Sequence, residues 1–368
     1  MAHPGEGRLL ESSGVKRHPG SDEHLAFLVR LQRLLSEGDF TATYKYALLI
    51  ALADIAVEQG HDDVRVLDIS MRAIAEKFVG YYWQQTIPYR TDRDDVQEGV
   101  LHQNLGALAK VVSDICRFRI NTGAHTLVAA RRHPAYAKLL TTVSQTVAAQ
   151  PVTYMQNIGG TSDPFLYERV SRGVRLHLGV ASHLRKFHSL IQDLARSCWT
   201  QHIKTNKRNA VILGQQDDLQ GFLFETSRQS LQAIGAGFVR LFSGRCFYCQ
   251  HSISGTADVD HFIPFSMYGR DIGENFVLAH PACNRSKSDL LAAREHLEKW
   301  LEQIEARSDD LRQITDGAGV LSDSRKMLTV AEWAYTSGAQ SGRHAWVRSD
   351  RYEEITHDHL SLFGTHDP

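Results

Sequence analysis

Leu25, Leu28, Leu31, Leu34 and Leu35 recur at the intervals that line one face of a helix. Ser21 or Asp22 can cap that helix and Gly38 can end it, which predicts a helix over 23–37. A second helix is predicted from Thr41 or Thr43 to Gln59. Its apolar residues surround it rather than forming a stripe, the mark of a helix buried on all sides. A short link and a third helix follow over 64–78, and Tyr81, Tyr82 and Trp83 then form an aromatic anchor. Residues 86–98, with Pro88, read as a loop, and helices are predicted over 101–118 and 134–149. The breakers in 151–164, with Gly159-Gly160, suit a linker or surface loop. Helices over about 184–203 and 218–242 complete an almost wholly helical N-terminal part.

The period changes near residue 259. Val259, His261 and Ile263 alternate with Asp260 and Phe262, and 276–279 repeats the short-strand signal. Asn284 stands where a long amphipathic helix, running to about 306, would begin. Trp333, Tyr335 and Trp346 are expected to pack a small C-terminal cap onto that helix. The expected fold class is mainly α, a large helical N-terminal domain with a C-terminal ββ-α module. The expected division is a disordered lead over 1–20, a helical domain over 21–150, a basic helical region over 151–240, the module over 241–306 and the cap over 307–368.

Composition changes this picture in two places. The 368 residues carry 41 Lys plus Arg against 42 Asp plus Glu, a net charge of −1, which argues against a uniformly basic nucleic-acid coat. The balance is a cancellation, because 169–209 holds nine basic residues and a single acid, Asp193. Within it Arg185, Lys186, Lys204, Lys207 and Arg208 are candidate contacts to a nucleic-acid backbone. The alternative is a solvated helical face whose charges pair with acids elsewhere. The longest apolar run, 46–57, contains Asp54 and is far short of the ~20 residues of a membrane span. With no signal-type segment in the first 24 residues, a cytoplasmic protein without membrane contact is expected.

The second change comes from cysteine. Five cysteines, an odd number, speak against a disulfide framework, and three of them lie within 38 residues. Cys246 and Cys249 form a C-x2-C pair, and His280 and Cys283 an H-x2-C pair. Together they supply the four N/S ligands of a closed, structural zinc site. The alternative is a set of buried thiols beside a surface histidine. Asp260 offers a hard oxygen ligand suited to Mg²⁺ or Mn²⁺, and His261 an imidazole that can take a proton from water. Neighbours in a strand point to opposite faces, so both reach one site only at a strand end or bulge; otherwise they form an ordinary surface pair. His344, His357, His359 and His366 fit no standard metal spacing and read as surface residues.

In order, Cys246-x2-Cys249, Asp260-His261-x2-Pro264, Asn275 and Cys283-Asn284-x2-Lys287 resemble the HNH, or ββα-metal, nucleases over about 244–291. The form is an HNN variant, with Asn284 as the third motif residue and His280 where the family more often has Cys. The resemblance implies that His261 is the general base and that Asp260 and Asn284 hold one catalytic Mg²⁺ or Mn²⁺. It also implies that Asn275 braces the loop that orients His261, that Arg285 and Lys287 meet the phosphate backbone, and that the zinc is structural. The flanking Phe222-Leu-Phe224 and Lys287-Ser-Asp-Leu-Leu291 resemble bacterial HNH proteins with a helical N-terminal part, a group associated with defence against foreign DNA. The expected activity is metal-dependent cleavage of DNA. One such site cuts one strand, so a double-strand break needs two protomers or two visits; the expected partners besides DNA are a second copy in a homodimer or defence-system proteins. The alternatives are a non-catalytic zinc-stapled nucleic-acid-binding module and an RNA-cleaving nuclease or toxin of the same fold.

Overall fold

The apolar run at 46–57 becomes the hub of the molecule. The computed structural model describes residues 17–89, 98–106, 108–213 and 218–365. α1 (Ser21–Glu37) is followed by α2 (Tyr44–Gln59), in which every residue from Tyr44 to Val57 is buried. A helix apolar on all sides must be covered on all sides. Next come β1 (Leu67–Ser70), α3 (Met71–Trp83), α4 (Lys110–Thr122), α5 (Leu127–Arg132) and α6 (Tyr136–Ala149). Then follow α7 (Pro151–Tyr154), the strands β2 (Asn157–Ile158), β3 (Thr161–Ser162), β4 (Tyr167–Val170) and β5 (Gly173–Leu176), α8 (Val180–Lys186) and α9 (His188–Thr205). Of these, α3, α8 and α9 pack directly on α2.

Several local expectations change. The first helix is capped at Gly20, whose N–H donates to the Glu23 carboxylate at 2.8 Å, and it buries Phe27, Leu31 and Leu34 while Leu25 faces solvent. Strands interrupt the helices: β1 pairs antiparallel with β5, and β5 with β4. Gly173 permits this pairing, since a Cβ there would collide with the Ile69 carbonyl oxygen. The 151–164 stretch, expected as a linker or surface loop, forms α7 and the β2–β3 hairpin, with Val152 and Ile158 in the core. The 1–20 lead (through residue 16), most of the 86–98 loop and His366 lie outside the described residues.

The C-terminal part begins with α10 (Leu219–Phe224) and α11 (Arg228–Leu241). β6 (Asp258–His261) and β7 (Phe276–Ala279) pair antiparallel, placing Asp260 opposite Val277 and His261 opposite Phe276. The long helix expected from Asn284 is two helices, α12 (Pro281–Lys287) and α13 (Arg294–Gly317). α12 starts earlier because His280 is its N-cap and Pro281 suits its first turn. It stops at Ser288, which takes a left-handed φ of 49°. Asn284 therefore sits inside a helix rather than capping one. α14 (Ser324–Gln340), β8 (His344–Arg348), β9 (Arg351–Glu354) and α15 (His357–Leu360) close the chain. Phe262 stacks on Trp300 at 4.6 Å between ring centroids, and Trp333, Tyr335 and Trp346 share the same core. His359, expected at the surface, is buried against Glu353 at 3.0 Å. No helix among the described residues is long and apolar enough to cross a membrane.

The two parts are joined through α2. Val57 enters the C-terminal core, and α14 packs on α2. Asp54, the acid inside the apolar run, is fully buried. It accepts hydrogen bonds from His188 (2.9 Å) and Gln192 (2.7 Å) on one oxygen and from Tyr81 and Arg270 (both 2.7 Å) on the other. Glu58, one turn on, bonds Lys77 and the Tyr268 hydroxyl. Tyr268 and Arg270 belong to the loop between β6 and β7, so the helical part grips the loop that follows His261.

Candidate active site and metal centre

The zinc-type cluster is built from two turns. Cys246 and Cys249 lie on the turn after α11, His280 caps α12, and Cys283 is in its first turn. Their ligand atoms all lie within 4.8 Å of one another. His280 Nδ1 is 3.3 Å from Cys249 Sγ, and its Nε2–H donates to the Ser252 carbonyl at 3.3 Å. That outer bond fixes the tautomer and leaves the Nδ1 lone pair facing the thiols. The residues fit a tetrahedral zinc with no position left for substrate. Burial and the neighbouring Cys246 and Cys249 sulfurs push the Cys283 thiol up to about 12.

Asp260 and His261 end β6, and the strand end lets both border one pocket of about 240 Å³ with Asn284 and Arg285. Asp260 is buried and accepts a hydrogen bond from the Tyr248 hydroxyl at 2.5 Å. Asn284 donates through Nδ2 to Asp258 at 3.0 Å. The other Asp260 carboxylate oxygen and the Asn284 amide oxygen accept no hydrogen bond from the described residues. Two hard oxygens left without donors, on one pocket wall, fit a divalent cation. His261 places Nε2 2.5 Å from Asp271, between the rings of Phe265 and Phe276. The other Asp271 oxygen accepts the Thr226 N–H at 3.0 Å. Burial alone would raise the Asp271 carboxyl, but His261 and the Thr226 bond hold it below the ordinary value.

Asn275, fully buried, clamps the loop: its side chain accepts from the Ile263 N–H at 2.7 Å and donates to the Ile263 carbonyl at 2.9 Å. Arg285 is exposed on the pocket rim. Lys287 is not where a phosphate contact would be. It is fully buried, donates to the His261 carbonyl at 2.9 Å and lies 3.4 Å from Asp260. Because α12 ends at this residue, its last turn folds down onto β6 and the ammonium becomes a strut under Asp260 and His261. Burial lowers the Lys287 pKa and Asp260 opposes that shift. Arg185 is also corrected: it is buried, bonded to Asp62 at 2.5 Å and to the carbonyls of Ala56, Val57 and Gly60 at the end of α2. Lys186, Lys204, Lys207 and Arg208 are exposed on α8, α9 and the turn after it, away from the pocket lining. Sequence reasoning missed Asp271, Asp258 and Tyr248, since no motif spacing marks them and only the folded loop brings Asp271 back to His261.

An antiparallel strand pair followed by a short helix, with a Cys/His cluster at the knuckle, defines a ββα-metal module, and residues 246–290 match the HNH endonuclease family. The chain carries an HNH endonuclease domain and a cluster suited to metal. Residues 24–217, more than half of the chain, match the family described as Domain of unknown function (DUF8808), and the chain belongs to that family. No curated protein and no solved structure matches it.

Proposed function

We propose that this chain is a metal-dependent endonuclease of the HNN type that hydrolyses DNA phosphodiester bonds. The observation that carries the reading is the convergence of Asp260, His261 and Asn284 on one pocket, with His261 held from behind by Asp271. A carboxylate only accepts, so Nε2 carries the hydrogen and Nδ1 is left to take a proton from water. Asp260 and Asn284 would hold Mg²⁺ or Mn²⁺, which would stabilise charge on the phosphate and the leaving oxygen. Lys287 and Asn275 position Asp260 and His261, and Arg285 meets the phosphate. The zinc cluster staples β7 and α12 to the turn after α11 and takes no part in the chemistry.

One HNH pocket among the described residues predicts a nick, with two protomers or two visits needed for a double-strand cut. The near-zero net charge supports a restrained enzyme rather than an indiscriminate degrader, and we place it in the cytoplasm with invading DNA as its target. The reading divides the chain into an HNH module over 241–306, a cap over 307–368 and a helical part that braces them. The test is incubation of supercoiled plasmid, single-stranded DNA and RNA with Mg²⁺ or Mn²⁺. Nicked plasmid that appears only with added metal supports the reading. Cleavage of RNA alone reassigns the substrate, and no cleavage of any polymer with either metal overturns it.

A further inference from the structure

We infer that the β8–β9 hairpin is a second contact for the nucleic-acid backbone, continuous with the rim of the active-site pocket. The inference rests on the nuclease reading and adds a surface outside the module. Trp346 of β8 donates its indole N–H to Ser286 of α12 at 3.0 Å, and Ser286 meets Ser349 at the hairpin tip at 3.2 Å. The Trp346 amide donates to the Leu291 carbonyl and its carbonyl accepts from Ala293, both at 2.8 Å. The hairpin is thus fixed to both ends of the segment joining α12 and α13. Trp346 also packs on Tyr248, whose hydroxyl supports Asp260.

Arg348 and Arg351 are direct cross-strand partners at this tip, and both are exposed. Like charges directly opposite each other on a hairpin repel. Among the described residues neither has a carboxylate within 4.0 Å, although Asp350 lies between them in sequence. Arg285, next to Ser286 in the same joint, is also without an ion pair among the described residues. Arg175, in the most basic stretch of the sequence, is by contrast neutralised by Asp68 at 2.7 Å. Three unpaired arginines on one rigid joint beside the pocket leave a place for a chain of anions. A phosphodiester backbone bound at Arg285 and continuing over the tip supplies it and relieves the repulsion.

The test measures binding of a fluorescent duplex DNA, and of an RNA of the same sequence, across a salt series without added Mg²⁺. The protein is the His261→Ala variant, with and without Arg348→Glu and Arg351→Glu together. The double charge reversal should weaken binding at least about tenfold at ~0.1 M salt. It should also reduce the slope of log affinity against log salt by about two. Zinc content and melting temperature should hold, and Arg348→Lys with Arg351→Lys should retain most of the affinity. The polymer whose binding falls identifies the backbone that the tip meets. Unchanged affinity and slope for both polymers overturn the inference, even if wild type cleaves. Lost binding by charge reversal in a protein that never cleaves would instead leave this surface standing and remove the nuclease reading.

Discussion

The HNH module and the helical domain both bury charge, but they find partners over different distances. In the module the partners are near in sequence: Cys246 with Cys249, His280 with Cys283, Asp260 with Tyr248 and His261 with Asp271. In the helical domain the partners are remote. Asp54 binds His188 and, across to the loop after His261, Arg270; Arg185 reaches back to the end of α2. On the proposed reading the module carries the chemistry, and the helical part holds the loop that follows His261. Asp54 fixes Arg270, Asp271 is the next residue, and Asp271 holds His261.

Breaking the module locally should have the largest effect. Cys246→Ser or Cys283→Ser should lose the zinc and unfold the module, because structural zinc supplies on the order of 10 kcal/mol of folding free energy. Metal analysis with calorimetry checks this, and a variant that melts like wild type with one zinc per chain would refute the ligand set. Breaking the remote bracing should come next. Asp54→Ala leaves the part-buried Arg270 without its counter-ion and removes the buried acceptor of His188, Gln192 and Tyr81, at a cost of about 3–5 kcal/mol in denaturant unfolding. Burial alone would raise the Asp54 carboxyl, but Arg270, Lys77 and His188 hold it well below its ordinary 3.8. Its contribution is therefore full above about pH 3.8 and is lost as pH falls toward the lower folded value. Asp54→Asn should flatten that acid limb, and an unchanged limb would show that Asp54 is not charged in the fold.

The link between the two regions should respond more selectively. Asp271→Asn keeps the shape but removes the charge facing His261, and should lower the cleavage rate about 10–100-fold with little change in melting temperature. A shifted pH–rate profile would mark a positioning role, and an unchanged rate would detach the helical domain from the chemistry. The smallest effect is expected at Lys186, Lys204, Lys207 and Arg208, which we retain as peripheral backbone contacts. Changing all four to Ala should weaken duplex binding severalfold in an anisotropy titration, mostly at low salt. A loss as large as that of the hairpin arginines would move the main binding face to the helical domain.

The same difference in range explains what could be read in advance. Ligand spacing and strand alternation need only local sequence, so the Cys/His cluster, β6 and β7 were legible, whereas the grouping of Asp260, His261 and Asn284 rested on the family resemblance. The all-round apolar pattern of α2 was legible for the same reason. The early stop of α12 was not, because no glycine or proline marks the left-handed φ at Ser288. That stop decides that Lys287 supports the site instead of touching phosphate. Nor does a count of charge along 169–209 show that Arg175 is paired and that Arg185 and Arg196 are buried. The strands β1, β4 and β5 escaped notice because each has four residues and their order in the sheet is β1-β5-β4, across more than a hundred residues of chain.

The central claim is that His261, held by Asp271, is the base of a phosphodiesterase. Its most direct test is single-turnover cleavage of supercoiled plasmid in Mg²⁺ or Mn²⁺ by wild type and His261→Ala. A positioned general base contributes ~10²–10⁴ in rate, so the variant should cleave at least about 100-fold more slowly with zinc content and melting temperature unchanged. Equal cleavage by the two proteins would contradict the account.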